Sequence, residues 1–333
     1  MSRTLLRTQG LAVGHGERIL AEGLDLELEG GELVCLIGAN GVGKSTLLRA
    51  LSGLSEPLRG EIFIAGETLD RLHPLARAKC LSLVLTENRE PPGFTSQELV
   101  ALGRHPHTGL LGLLSAEDRE IIRSCMEASG CLGLAHRPFG ELSDGERQRV
   151  MIARALAQEP SLILLDEPSA FLDLPGRISA TRLLKRLSRE RDMAVLMSTH
   201  DLDLALSHAD RLWLFSPGGP LICGTPEDLV LEERFDHLFP EVGLTFDAAR
   251  GTFSLAEGGR QPITFSGEGP KAPWVIHALK RLGFAPCEPG TPCALSVRVS
   301  EAGIALDSAA GSELHHSIAS LQKSLSTRTP EAD

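Results

Sequence analysis

The chain has 333 residues, room for about two domains at roughly 150 residues each, and its 42% hydrophobic and 23% charged content excludes a disordered, collagenous or disulfide-scaffold protein. Its 33 Lys and Arg stand against 44 Asp and Glu, a formal charge of -11, so no broad basic face for nucleic acid is expected and any phosphate must be held locally. No apolar run approaches the roughly 18 residues that span a bilayer, and the first residues carry no signal-peptide pattern, so the expected compartment is cytoplasmic.

Residues 3 to 29 alternate apolar and polar positions, with Leu24, Leu26 and Leu28 on one face, and read as antiparallel strands joined at Gly14-His15-Gly16. Leu33-Val34-Cys35-Leu36-Ile37 is a continuous apolar run of strand length, followed by a glycine loop and helical spacing over residues 45–51. Further buried strands are predicted at 81–85, 162–165 and 194–197, separated by helices. Between Pro91 and Glu141 the apolar positions fall at helical spacing, which predicts a helical insertion. Ile178, Leu183, Leu184 and Leu187 form the core-facing stripe of a basic helix over 175–191. Cys35, Cys80 and Cys223 lie in apolar runs and read as reduced, buried thiols, while Cys287 and Cys293 flank a Pro/Gly-rich turn.

Around Pro240 the pattern changes to short strand-like pieces, and a second small domain is expected there. It reads as strands at Leu244-Thr245-Phe246, Thr252-Phe253-Ser254-Leu255 and Ile263-Thr264-Phe265, then a helix over about 274–282. Strands at 294–299 and 303–306 follow, and a helix over 313–325 with Leu314, Ile318, Leu321 and Leu325 at helical spacing. This stretch has no phosphate loop and no clustered carboxylates, so a scaffold or regulatory contact is expected of it rather than a second catalytic site.

Gly38-Ala39-Asn40-Gly41-Val42-Gly43-Lys44-Ser45-Thr46 fits G-x-x-x-x-G-K-[ST] and sits between a buried strand and a helix. Glycines let successive N–H groups curl around phosphate oxygens, the helix N-terminus adds its positive end, Lys44 reaches the β/γ phosphates, and Ser45 offers a hydroxyl to Mg2+. Asp166 and Glu167 emerge from the carboxyl end of Leu162-Ile163-Leu164-Leu165, the first suited to hold Mg2+ and the second to activate a water. Leu142-Ser143-Asp144-Gly145-Glu146-Arg147-Gln148 is locally a capping box opening a helix through Ala157. Together with Ser198-Thr199-His200 after the next strand, these motifs in this order resemble those of ATP-binding cassette ATPases, over about residues 5 to 239.

The resemblance implies an α/β P-loop NTPase cassette: a mixed core sheet, an antiparallel β subdomain and a helical insertion at about 91–141. The ATP-binding domain would then be residues 1–240 and the small C-terminal α/β domain 241–333. ATP and Mg2+ are the implied cofactors. Gly38, Ala39, Asn40, Gly41, Gly43, Lys44, Ser45 and Thr46 would surround the nucleotide, with His15 where an aromatic commonly stacks on adenine. Lys44, Glu167 and His200 would carry catalysis, with His200 on the γ-phosphate, and Ser45, Asp166 and Thr86 would form the metal shell. Thr86 stands where most cassettes carry Gln, and Glu87 beside it is the other candidate for that role. Ser143 and Gly145 would address the ATP held by a partner cassette, and Asp173 would lie in the loop that crosses between them. The implied assembly is a homodimer of cassettes on a polytopic membrane permease, peripheral on the inner face of the membrane and served by an external substrate-binding protein.

Glu98-Leu99-Val100-Ala101-Leu102-Gly103-Arg104-His105-Pro106-His107-Thr108-Gly109 is similar to the docking subdomain of cassettes that import iron chelates, haem and cobalamin. The alternatives are a soluble cassette ATPase of DNA repair or iron-sulfur cluster assembly, and a phosphotransferase. The stretch from Lys44 to Ser143 shows neither the heptads nor the basic runs of a repair ATPase, and Glu167 with the signature sequence favours water as acceptor.

Overall fold

The strand Leu33–Gly38 is buried at every position and lies inside a six-stranded sheet. The computed structural model describes residues 3–16, 18–85, 93–109, 112–216, 219–238, 244–247, 252–255, 261–288 and 290–326, so the expectations for Thr86 and Glu87 lie outside the described residues. The sheet order is Leu221–Gly224, Arg211–Phe215, Leu33–Gly38, Ala194–Thr199, Leu162–Leu165, Leu81–Val84. Every pairing is parallel except that of the Leu221–Gly224 edge. Parallel pairing aligns the carboxyl ends of the strands, so the glycine loop, the Asp166-Glu167 pair and the Ser198-Thr199-His200 turn leave the sheet on one side.

The period of two along Leu33–Gly38 divides the core. Leu33, Cys35 and Ile37 face Val100, Ile122, Val150 and Leu184. Val34 and Leu36 face Leu47, Leu48 and the apolar side of an antiparallel sheet that includes Leu6, Leu28 and Ile64. That second sheet runs Arg18–Leu24, Thr4–His15, Arg59–Ile64, Glu67–Thr68, with Glu27–Glu29 also paired to Thr4–His15. The fold is the mixed α/β cassette that the sequence implies.

The helices Ser96–Ala101, Ala116–Ala128 and Asp144–Ala157 each begin with a reciprocal capping box, Thr95 with Glu98, Ser115 with Asp118 and Ser143 with Glu146. A Cβ on Gly103 would stand 2.3 Å from the Arg154 carbonyl oxygen, so only glycine lets this segment abut the helix Asp144–Ala157. Beside it the buried Arg104 donates from Nε to Asp118 Oδ1 at 2.8 Å, and from Nη1 to Ala157 O at 2.8 Å and Glu159 Oε2 at 2.6 Å. One guanidinium thus ties two helices together at the negative end of the second.

Removing it leaves Asp118 only its Ser115 hydrogen bonds, so Arg104→Met is expected to lose about 1.5–3 kcal/mol of stability, the worth of a hydrogen bond to a charged group, read as a lower urea midpoint at unchanged slope. Hydrogen bonds from Ser115, then from Arg104, hold the Asp118 carboxyl down to about 2, from an ordinary 3.8. A folded-state pKa below the unfolded one gives stability that is full above the unfolded value and lost as pH falls through the folded one. The wild type is therefore expected to lose this contribution as pH drops from about 4 to about 2, and Arg104→Met to lose less of it there.

All seven cysteines are free thiols, Cys287 and Cys293 included. Burial pushes the Cys35 thiol up to about 12, whereas Cys80 is only partly buried and Cys223 is exposed as a residue.

The chain divides into two compact units between Ser254 and Leu255, not at the change of pattern near Pro240. The reason is that Leu244–Asp247, which pairs with Thr252–Leu255, packs on the first unit: Phe246 stacks on Phe235, with ring centroids 4.6 Å apart.

In the second unit the sheet order is Phe284–Cys287, Gln261–Ser266, Leu295–Ser300, Gly303–Ser308, Gly311–His315. The helices Ala272–Arg281 and Ile318–Ser326 contribute Val275, Leu279, Leu321 and Leu325 to a core with Ile263, Phe284, Val297 and Leu306. The helix expected over 313–325 begins only at Ile318, because Gly311–His315 is an edge strand instead. A two-residue turn at Ala309 and Ala310 returns the chain as a hairpin, and Leu314, expected in a helical core stripe, faces solvent.

Candidate active site

Gly43 caps the helix Lys44–Leu51 at φ 117°, a left-handed conformation that favours glycine, and no side chain caps the helix start. The helix's first N–H groups are thereby left for an anion. Lys44, only 6% exposed, donates from Nζ to Gly38 O at 2.9 Å and to Ala39 O at 3.3 Å, and stands 3.7 Å from Glu167 Oε1. Burial lowers the pKa of its ammonium, opposed by the charges of Glu167 and Asp166. Asn40, Gly41 and Ser45 are exposed along the same loop, and the His15 ring lies 3.0 Å from Thr46 through Nε2 and Oγ1.

The carboxylate pair is built around Ser198. Its hydroxyl donates to Asp166 Oδ1 at 2.7 Å and accepts the Glu167 N–H at 2.8 Å, while the Asp166 N–H donates to Val84 O at 2.8 Å. These bonds hold Glu167 at φ 46°, a left-handed conformation that costs a non-glycine residue about 1 kcal/mol or more. The strained turn presents the Glu167 carboxylate to both Lys44 and His200, whose Nδ1 lies 3.7 Å from Glu167 Oε2. Ser198 has no assigned role at the sequence level. Its signal is a hydroxyl following the apolar run Ala194-Val195-Leu196-Met197, and in the fold Ser198 is fully buried.

Asp166 and Glu167 line a cavity of about 310 Å3 that also touches Asp144, Gln148 and Phe171. Ser143, Gly145 and Asp173 line another, of about 540 Å3, with Phe171 and Leu172. Asp173 caps the helix Leu174–Glu190 by accepting the Gly176 N–H at 2.9 Å. The structure thus brings Lys44, Asp166, Glu167 and His200 together, sets His15 against Thr46, and gathers Ser143, Gly145 and Asp173 into a second group. Asp166 and Glu167 line the first cavity, Ser143, Gly145 and Asp173 the second, and Asp144, Phe171 and Leu172 border both.

The residues present fit the phosphates of ATP, since the glycine turn, the uncapped helix start and the buried ammonium face one loop. They also fit Mg2+. Among the described residues no three His, Cys, Asp or Glu cluster into an all-protein metal cage, and Mg2+ is usually held by one or two carboxylates together with substrate phosphates.

The ABC transporter family profile matches residues 21–170, and the profile of the iron ABC transporter C-terminal domain matches 260–326. An ABC transporter ATP-binding protein of Methanocaldococcus jannaschii is 39% identical over 75% of this chain and 87% of its own length. The iron(3+)-hydroxamate import ATP-binding protein of Bacillus subtilis is 36% identical over 70% of this chain and 87% of its own. The ferric enterobactin transport ATP-binding protein of Escherichia coli is 37% identical over 70% and 86%. A bacterial ABC transporter cassette solved as a dimer superposes with a TM-score of 0.59 at 27% identity, covering 67% of this chain and 99% of that one. No helix among the described residues is long and apolar enough to cross a membrane. The chain belongs to the ATP-binding cassette family and is the ATP-hydrolysing subunit of a transporter.

Proposed function

We propose that this cassette drives import of an iron chelate through a separate membrane permease, with an external binding protein delivering the chelate. The observation that carries the reading is the convergence of Lys44, Asp166, Glu167 and His200 at the carboxyl edge of one sheet, in a chain whose relatives include proteins named for iron-hydroxamate and ferric-enterobactin import. The match of residues 260–326 to the iron ABC transporter C-terminal domain supports iron over haem and cobalamin as the cargo class. Among the described residues the longest helix between Lys44 and Ser143 is Ala116–Ala128, which disfavours the coiled coil of a DNA-repair ATPase.

In the mechanism that follows, Lys44 exchanges its bonds to Gly38 O and Ala39 O for the β and γ phosphates of ATP. Ser45 and Asp166 would hold Mg2+, which would neutralise charge on the phosphate oxygens. Glu167 orients the attacking water and accepts its proton at a carboxylate oxygen. His200 contacts the γ-phosphate and is kept beside Glu167 by the same turn. Ser143 and Gly145 present a helix N-terminus to the ATP held by a second copy, and closure of the two chains excludes bulk water from both sites.

Transport is tested with the polytopic membrane protein that co-purifies with this chain, reconstituted as a complex in liposomes with a siderophore-binding protein. Ferric siderophore is expected to accumulate with ATP and not with the Glu167→Gln complex. Accumulation of haem or cobalamin instead, with ferric chelates excluded, would overturn the iron assignment.

A further inference from the structure

The two edges of the C-terminal sheet are unlike. Phe284–Cys287 carries Pro286, which lacks an N–H and blunts strand addition. Gly311–His315, at the opposite edge, has neither proline nor lysine, and all its residues but His315 are exposed. In a hairpin with a two-residue turn the pair beside the turn exchanges both ladder bonds, and so does every second pair after it. Ser308 opposite Gly311 is that first pair, so Gly311, Glu313 and His315 bond inward while Ser312 and Leu314 turn their N–H and C=O groups outward. Leu314 is 53% exposed although apolar. His315 is only 7% exposed, its Nε2 has no hydrogen-bond partner among the described residues, and Glu313 Oε2 lies 3.6 Å from it.

We propose that Gly311–His315 pairs antiparallel with the same strand of a second copy of this chain, about a two-fold axis at Leu314, joining the two C-terminal sheets into one. Residues opposite each other in an antiparallel pair share a face, so a two-fold axis must pass through a residue of the strand. An axis at Glu313 sets two carboxylates against each other, which is destabilising. An axis at Leu314 sets Leu314 against Leu314 and, on both sides of it, Glu313 against His315, giving the orphaned imidazole nitrogen an acceptor across the interface. The strand is self-complementary in that register. The pairing keeps two cassettes at high local concentration between closures, so the dimer persists without nucleotide. That consequence rests on the proposed two-cassette cycle, whereas the strand pairing does not.

The test uses the full chain without nucleotide. Leu314→Cys treated with a short bis-maleimide is expected to yield a species of twice the chain mass that neither the wild type nor Ser312→Cys yields, since two Ser312 positions would lie about 13 Å apart along the strands. By light scattering the wild type and Leu314→Val are expected to be dimers, and Leu314→Pro, which removes only an outward N–H, a monomer. A monomeric wild type, a dimeric Leu314→Pro, or a Leu314→Cys chain that cross-links no more than the wild type would overturn the proposal. Closure of the cassettes with Mg-ATP is a separate measurement, and its failure would leave the nucleotide-free result untouched.

Discussion

Lys44→Ala is expected to weaken ATP binding by roughly 10–100-fold, the worth of a charge-assisted hydrogen bond of about 1.5–3 kcal/mol, and to remove hydrolysis with it. In the structure its ammonium is almost fully buried, bonded to Gly38 O and Ala39 O and flanked by Glu167. Truncation therefore removes a cation aimed into the loop and leaves its carbonyls and the Glu167 carboxylate facing the phosphates. Both changes act on the nucleotide and little on the core, since Lys44 stands at the first position of its helix. Titration with a fluorescent ATP analogue checks the affinity. Unchanged affinity with hydrolysis lost would move Lys44 from binding to the chemical step.

Glu167→Gln is expected to slow hydrolysis by roughly 10²–10⁴-fold, the usual contribution of a general base, while ATP affinity stays near that of the wild type. The amide is nearly the same size, and the bonds that fix the turn run through the backbone N–H of residue 167 and the Ser198 hydroxyl, which the substitution leaves in place. What changes is the proton acceptor beside Lys44 and His200. Single-turnover hydrolysis and nucleotide titration on the same protein separate the two effects. A matched loss of affinity would mean that Glu167 acts on binding, not on water.

The motifs were legible in the sequence because their chemistry depends on local geometry. A glycine loop between a buried strand and a helix positions Gly38 to Thr46 without help from distant residues, and the capping box at Ser143 and Glu146 forms as the S-x-x-E spacing predicts. Ser198 was not legible, since its role depends on two parallel strands lying side by side so that one hydroxyl bridges Asp166 and Glu167. Arg104 escaped for the same reason, its partners Ala157 and Glu159 lying far along the chain. At 313–325 the apolar positions fit a helix until the turn at Ala309 and Ala310 fixed the register and sent Leu314 to solvent.

Hydrolysis of ATP between two chains, as proposed, requires Gly145 of one to face the nucleotide of the other. A Cβ at Gly145 meets only Leu172 Cδ2, at 4.0 Å, so the backbone accepts a side chain there, and the indole of Gly145→Trp is expected to obstruct a partner's nucleotide. The decisive measurement is the mass of residues 1–254 carrying Glu167→Gln, a segment that is a compact unit with its own cores, by light scattering with Mg-ATP. The account predicts a dimer for Glu167→Gln and a monomer that still binds ATP for Glu167→Gln with Gly145→Trp. An ATP-loaded Glu167→Gln protein that stays monomeric, or a Gly145→Trp chain that dimerises as well as its parent, would contradict it.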